Sequence, residues 1–260
     1  MVLTKPEIAD ILERYARNEP VAETSYATVR DFCDSADRLP QITRHDGDLK
    51  NVQRPWAVKA ILRSIPPPAR LLEIGGGEPI VSDLLHQLGY DVTLVDPYDG
   101  SGNGPTEYEA YCKAFPNVRI IRDYFRPSLP SLIGEKFGAI FSISVLEHFS
   151  DEPMNSCFLA IGEFLRPGGV SAHCFDFIVQ GLGDVYDLAN AQQILERQAA
   201  LVHKPPPDFH ILLTQLRQDV ETFFLSPQGH HLWRTGRPYA EFPFRKVVSL
   251  QTIALKCTGA

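Results

Sequence analysis

Short apolar runs alternate along the chain with longer segments in which apolar residues recur every three or four positions. Leu71, Leu72 and Ile74 form one short run, suited to a buried parallel strand. Residues 91–96, 118–121, 139–143 and 170–175 read as further strands, and residues 246–255 as a last β segment. Between the first two, Ile80, Val81, Leu84, Leu85 and Leu88 share a helical face, and Gly89 ends the run. Phe158, Ile161, Phe164 and Leu165 share another. This alternation predicts an α/β domain with a mostly parallel sheet.

The flanks read differently. Ile8, Ile11, Leu12 and Tyr15 lie on one helical face, residues 28–34 suit a second helix, and Trp56, Val58, Ile61 and Leu62 a third, stopped by Pro66-Pro67-Pro68. The polar stretch 41–51 reads as a loop, and residues 1–69 as an N-terminal helical cap on a domain spanning 70–260. Within that domain, 181–239 reads as an insertion. It holds two helices on either side of Pro205-Pro206-Pro207, then a mixed polar and aromatic loop at 225–234.

The chemistry centres on the first strand and the glycine turn after it. Gly75-Gly76-Gly77 cannot continue a strand; without Cβ atoms the backbone turns sharply and a ligand approaches it closely. Pro79 suits the start of the next helix. A strand, glycine turn and helix build a nucleotide pocket at the carboxyl edge of a sheet. A dinucleotide fingerprint needs glycine at position 80, which is Ile, and a P-loop needs Gly-Lys-Ser/Thr, which is missing. Asp96 ends the second strand, near the roughly 20-residue spacing at which a strand-end acid meets a ribose, and a carboxylate accepts from both vicinal hydroxyls.

Acid-x-Gly-x-Gly, here Glu73, Gly75 and Gly77 with Gly76 between, resembles the first motif of class I S-adenosylmethionine-dependent methyltransferases, with Pro79 where that family often has a third small residue. Ser144-Val145-Leu146-Glu147-His148 resembles the family's fourth-strand motif, although that motif more often begins Phe-Asp and Gly138 here replaces the Asp, and Leu165-Arg166-Pro167-Gly168-Gly169 resembles its turn before the fifth strand. The resemblance covers residues 70–178 and the last strand. It implies a Rossmann-like methyltransferase sheet with an antiparallel last strand, helices on both faces and a helical insertion after strand 5. It also implies S-adenosyl-L-methionine as cofactor, Asp123 at the adenine amino group with Tyr124 as a stacking partner, and Ser142 and Ser144 beside the methionine part. Insertions at 181–239 in this family often form the acceptor pocket.

Composition narrows the partners. With 25 Lys+Arg against 32 Asp+Glu the net charge is −7, a poor basis for binding nucleic acid or a membrane surface. Five scattered cysteines form no C-x-x-C pair, which fits reduced thiols and no metal site. The amino terminus carries Glu and Asp where a signal peptide is apolar, and no apolar run approaches the roughly 20 residues of a membrane span, so a cytoplasmic location is expected. The expected activity is methyl transfer to a small-molecule acceptor through an oxygen or nitrogen nucleophile. The alternative is a non-catalytic protein of the same fold that binds S-adenosylmethionine or S-adenosylhomocysteine. Positioning and exclusion of water carry most of such a reaction, and a hydroxyl acceptor also needs a base. His148, then His173, then His210 are the candidates for that base, although a structural role suits His148 better and a buried or capping role suits His173 at least as well. His173 and Asp176 fall near the acceptor mouth, and Arg54 and Trp56 are candidates for a lid. Nothing in the sequence fixes the oligomeric state.

Overall fold

A computed structural model describes residues 2–17, 19, 21–101, 104–181 and 188–257. Seven strands form one sheet: β1 (Thr24–Tyr26), β2 (Arg70–Ile74), β3 (Asp91–Asp96), β4 (Arg119–Arg122), β5 (Phe137–Ile143), β6 (Leu165–Gln180) and β7 (Lys246–Leu255). Their spatial order is β1-β7-β6-β5-β2-β3-β4. β2 to β6 pair in parallel, and β7 is antiparallel to both β6 and β1. This is the expected Rossmann-like sheet with an antiparallel last strand.

The period-2 alternation of the strands decides which helices cover which face. Leu71, Ala139 and Phe141 pack with α1 (Lys5–Tyr15), α3 (Lys50–Ser64) and α4 (Ile80–Gln87). Leu72, Ile74 and Ile140 pack with α6 (Asp151–Phe164), α7 (Leu188–Ala200) and α8 (Phe209–Gln218). Two short helices hold the N-terminal region and the rim, α2 (Val29–Arg38) and α5 (Tyr108–Ala114). Capping boxes start α1 and α2, Thr4 with Glu7 and Thr28 with Asp31.

Four expectations change. The N-terminal region is mainly helical but also supplies β1, the edge strand beside β7, so the last strand in sequence lies one place in from the edge. The 41–51 stretch ends inside α3, which begins at Lys50 and runs through Pro55 with most of its residues buried. The turn at 165–169 is part of β6: Gly168 takes φ +67° and its N–H donates to the Lys256 carbonyl at 2.9 Å. The loop at 225–234 contains α9 (Pro227–Trp233), because the Ser226 hydroxyl accepts from the Gly229 N–H and Pro227 fits the first turn. Residues 102–103, between β3 and α5, and 182–187 of the insertion lie outside the described residues. Among the described residues no helix is long and apolar enough to cross a membrane.

Candidate active site

Chain order reverses between β2 and β5. From β2 the chain steps outward to β3 and β4, then returns across β2 to β5. The crevice outside the carboxyl end of β2 is where such sheets hold ligands. The glycine turn sits there. Gly75 and Gly77 take φ +63° and +56°, in the left-handed region that favours glycine. A Cβ on Gly75 would stand 2.8 Å from Val145 Cγ1, and one on Gly76 would stand 2.5 Å from Leu94 Cδ1 and 2.7 Å from Glu73 Cδ. All three glycines are therefore required, two by conformation and two by space.

Two carboxyl groups brace this turn. Glu73 is buried beneath Gly76, and its Oε2 accepts from Ser82 Oγ at 2.5 Å, tying β2 to α4. Burial pushes its pKa up to about 7, against the Ser82 hydrogen bond and the Arg54 charge. Asp96 takes the Gly77 N–H on Oδ2 at 3.1 Å and the Tyr98 N–H on Oδ1 at 2.8 Å. The Tyr98 hydroxyl then donates to the Gly77 carbonyl at 2.7 Å, closing a ring of bonds between β3 and the turn. Burial raises the Asp96 pKa, opposed by those two backbone donors. Each Asp96 oxygen keeps a second lone pair for a further donor.

Asp123 and Tyr124 come after β4 at the outer rim. Asp123 accepts the Tyr124 N–H at 2.7 Å and meets Arg126 at 3.4 Å, while the Tyr124 ring is 54% exposed and its hydroxyl donates to Asp99. Ser142 is buried in β5 and its hydroxyl meets His173 Nδ1 at 2.8 Å. Ser144, just past β5, takes φ +57° and donates to Asp176 Oδ2 at 3.1 Å. A non-glycine residue in that conformation is strained, a feature common at functional sites.

The histidines separate by burial. His173 is enclosed in β6 between Ser142 and Ser171, with Ser171 Oγ 2.7 Å from Nε2. Burial pushes its pKa down to about 3. Both ring nitrogens are engaged, so this geometry gives it no reach toward an acceptor. His148 ends a short 3-10 turn at Leu146–His148 and is partly exposed; burial, then the Lys50 charge, holds it below the usual histidine range, in its proton-accepting form near neutrality. His210 is exposed on α8, in a shallow cleft with Leu195 and Phe209.

Several neighbours were not singled out from the sequence: Tyr98 and Ser82 at the turn, and Gln53 and Glu147 at the carboxyl ends of β5 and β6. Gln53 Nε2 donates to Asp176 Oδ1 at 2.8 Å, and Glu147 Oε1 accepts the Asp176 N–H at 2.9 Å. Arg54, mostly buried on α3, is held below the usual arginine range by burial and by Arg44, opposed by Glu78, Asp48 and Glu73. Among the described residues no group of three His, Cys, Asp or Glu side chains is arranged to hold a metal ion.

Residues 49–176 match the family model described as Methyltransferase domain. Among solved structures, the chain is similar to Burkholderia thailandensis 1,6-didemethyltoxoflavin-N1-methyltransferase, at 15% identity over 99% of this chain and 92% of that one, with a TM-score of 0.46. It is similar to a TehB-like SAM-dependent methyltransferase from Corynebacterium glutamicum, at 18% identity over 65% and 83%, TM-score 0.43. It is also similar to the glycopeptide N-methyltransferase MtfA complexed with sinefungin, at 16% identity over 48% and 54%, TM-score 0.40. The chain thus spans little more than half the length of that glycopeptide enzyme. A search of curated protein sequences gives no match. The match over residues 49–176 identifies a methyltransferase domain in that part of the chain, and the strand order and glycine turn described above are those of a Rossmann-like sheet.

Proposed function

We propose that the protein transfers a methyl group from S-adenosylmethionine to a small-molecule acceptor. The observation that carries this reading is the glycine cradle: a side chain at Gly75 or Gly76 would collide with Val145, Leu94 or Glu73, so the backbone there stays bare, while Asp96 is fixed against the Gly77 N–H. Such a cradle fits an adenosyl amino acid, with the main chain of residues 75–77 along it and Asp96 accepting from the ribose hydroxyls through its remaining lone pairs. Arg54 would offer a cation to the amino-acid carboxylate, and Asp123 and Tyr124 would edge the base. Ser142 is engaged inside the sheet, so of the two serines we assign Ser144 to the ligand.

When bound, the cofactor supplies a methyl group made electrophilic by a positive sulfur. The chain's own residues then have to position the nucleophile and exclude water. For a hydroxyl acceptor, His148 is the residue that would take the proton, because it is partly exposed and burial holds it below the usual histidine range. We assign no proton transfer to His173.

Calorimetry with S-adenosylhomocysteine tests the reading. The product should bind the wild-type chain while NADH does not. Saturation at 100 times the dissociation constant should stabilise the fold by about 2.7 kcal/mol. Asp96→Ala should weaken binding at least tenfold. Equal binding of NADH, or an Asp96→Ala variant with unchanged affinity, would overturn the assignment.

A further inference from the structure

Glu147, Asp176 and Gln53 converge from three elements at the carboxyl ends of β5 and β6. All three are sealed, at 1%, 4% and 0% exposure. Asp176 uses both oxygens, accepting from Gln53 Nε2 at 2.8 Å and Ser144 Oγ at 3.1 Å. Glu147 Oε1 takes the Asp176 N–H. Two acceptors are left over: among the described residues, Glu147 Oε2 and Gln53 Oε1 are buried with no hydrogen-bond partner. Leaving such groups unpaired costs about 1–3 kcal/mol each, more if charged.

The charge is unbalanced as well. Among the described residues, neither carboxyl group has a cation within 4.0 Å. Lys50, in the first turn of α3, faces both and lowers both, but forms no ion pair with either. Burial and the nearby Asp176 charge push Glu147 up to about 8, and burial pushes Asp176 up to about 6. Buried carboxyls without a contacting cation are costly, and strongly perturbed ones cluster at functional sites. Lys50, Ser144 and His148 are partly exposed and border the cluster from outside, with Asp48 also facing Asp176.

We propose that this cluster is the acceptor subsite and that the acceptor is a primary or secondary amine, held through its N–H groups by Glu147, Asp176 and the Gln53 amide oxygen. The proposal rests on the methyl-transfer reading above and names the substrate class. A protonated amine supplies both missing elements, two or more N–H donors and a positive charge. A hydroxyl brings one donor and no charge. A carboxylate brings no donor and adds a third negative group to the cluster. Handing one N–H proton to the Asp176 carboxylate converts the ammonium to a neutral amine and Asp176 to the acid, which frees the nitrogen lone pair.

Benzylamine, benzyl alcohol and benzoate share a ring and differ in this one group. Calorimetry on the full chain saturated with S-adenosylhomocysteine should show benzylamine binding at least tenfold tighter than benzyl alcohol, with no benzoate binding. Repeating the titration in buffers of different ionisation heat at pH 7 should show proton release, as the incoming charge draws the pair toward its ionised form. Glu147→Gln should abolish that release. It and Asp176→Asn should each weaken benzylamine at least tenfold while S-adenosylhomocysteine stays within twofold. Binding of none of the three probes, equal binding of the alcohol or benzoate, or unchanged amine affinity in both variants overturns the proposal. If S-adenosylhomocysteine itself fails to bind, the methyl-transfer reading falls, and the three-probe series on the cofactor-free chain still decides the subsite.

Discussion

Glu73 and Glu147 are both sealed under the carboxyl edge of the sheet, and both are held above the usual carboxylate range by burial. Their surroundings differ. Glu73 leans on Ser82, nine residues away, within one strand-turn-helix unit. Glu147 leans on the backbone of Asp176, and its second oxygen has no partner among the described residues. On the glycine-turn side, backbone shape is the specification: glycines leave a cradle and local groups brace it. At the carboxyl ends of β5 and β6, side chains brought from distant positions leave hydrogen-bonding capacity unspent. The first arrangement suits a ligand recognised along its length, the second a ligand recognised by one polar group.

Gly75→Val should damage the glycine-turn side most. Valine would need a left-handed conformation that β-branched residues avoid, and its Cβ would meet Val145 at 2.8 Å. Strain and overpacking together should cost about 2–5 kcal/mol. S-adenosylhomocysteine affinity should fall at least a hundredfold. A thermal melt and a titration check both, and retained affinity would mean that the turn does not cradle the ligand.

Replacing each glutamate by glutamine tests the two sides against each other over pH. A carboxyl whose pKa is higher folded than unfolded subtracts stability as pH rises. The unfolded chain releases the proton from about pH 4.5, the folded chain only near pH 7 for Glu73 and near pH 8 for Glu147. Below pH 4 neither group contributes; above the folded value the loss is complete. Relative to wild type, Glu73→Gln should therefore gain about 1–3 kcal/mol between pH 4 and pH 9. Glu147→Gln should gain with the same sign over a window extending higher. Urea unfolding at pH 4, 6 and 9 measures both. Benzylamine should flatten the wild-type slope and leave the slope of Glu147→Gln unchanged.

The difference between the two sides also governs what the sequence reveals. Gly75–Gly77 and Asp96 declare themselves because their demand is local: a turn needing positive φ, and an acid one crossover later. The strands β2, β3 and β5 show the same way, as short apolar runs. Thr24–Tyr26 carries no such pattern; it becomes a strand by pairing with β7, 226 positions on between Ser25 and Gln251. Gln53 and Asp176 meet across 123 positions, and no spacing rule announces that contact. His173 shows the reverse problem. Its place near a strand end suggests chemistry, but strand alternation turns it inward between two serines. For α9, the signal is present in Ser226-Pro227, a cap and then a first-turn proline, and the histidines and aromatics after it obscure it.

The smallest expected effect comes from Ser82→Ala, which removes the local support under Glu73. At pH 5 Glu73 is protonated in the folded chain, so the lost bond is between neutral groups and should cost about 0.5–1.5 kcal/mol. At pH 9 the wild-type carboxylate accepts a charge-assisted bond, which is about twice as strong. The penalty should therefore grow with pH, because the Ser82 hydrogen bond lowers the Glu73 pKa and its loss lets burial raise that pKa further. In the Glu73→Gln background Ser82→Ala should cost the same at both pH values. A penalty that still grew with pH there would place the titrating group elsewhere in the fold, and the bracing of the glycine turn by Glu73 would no longer account for its burial.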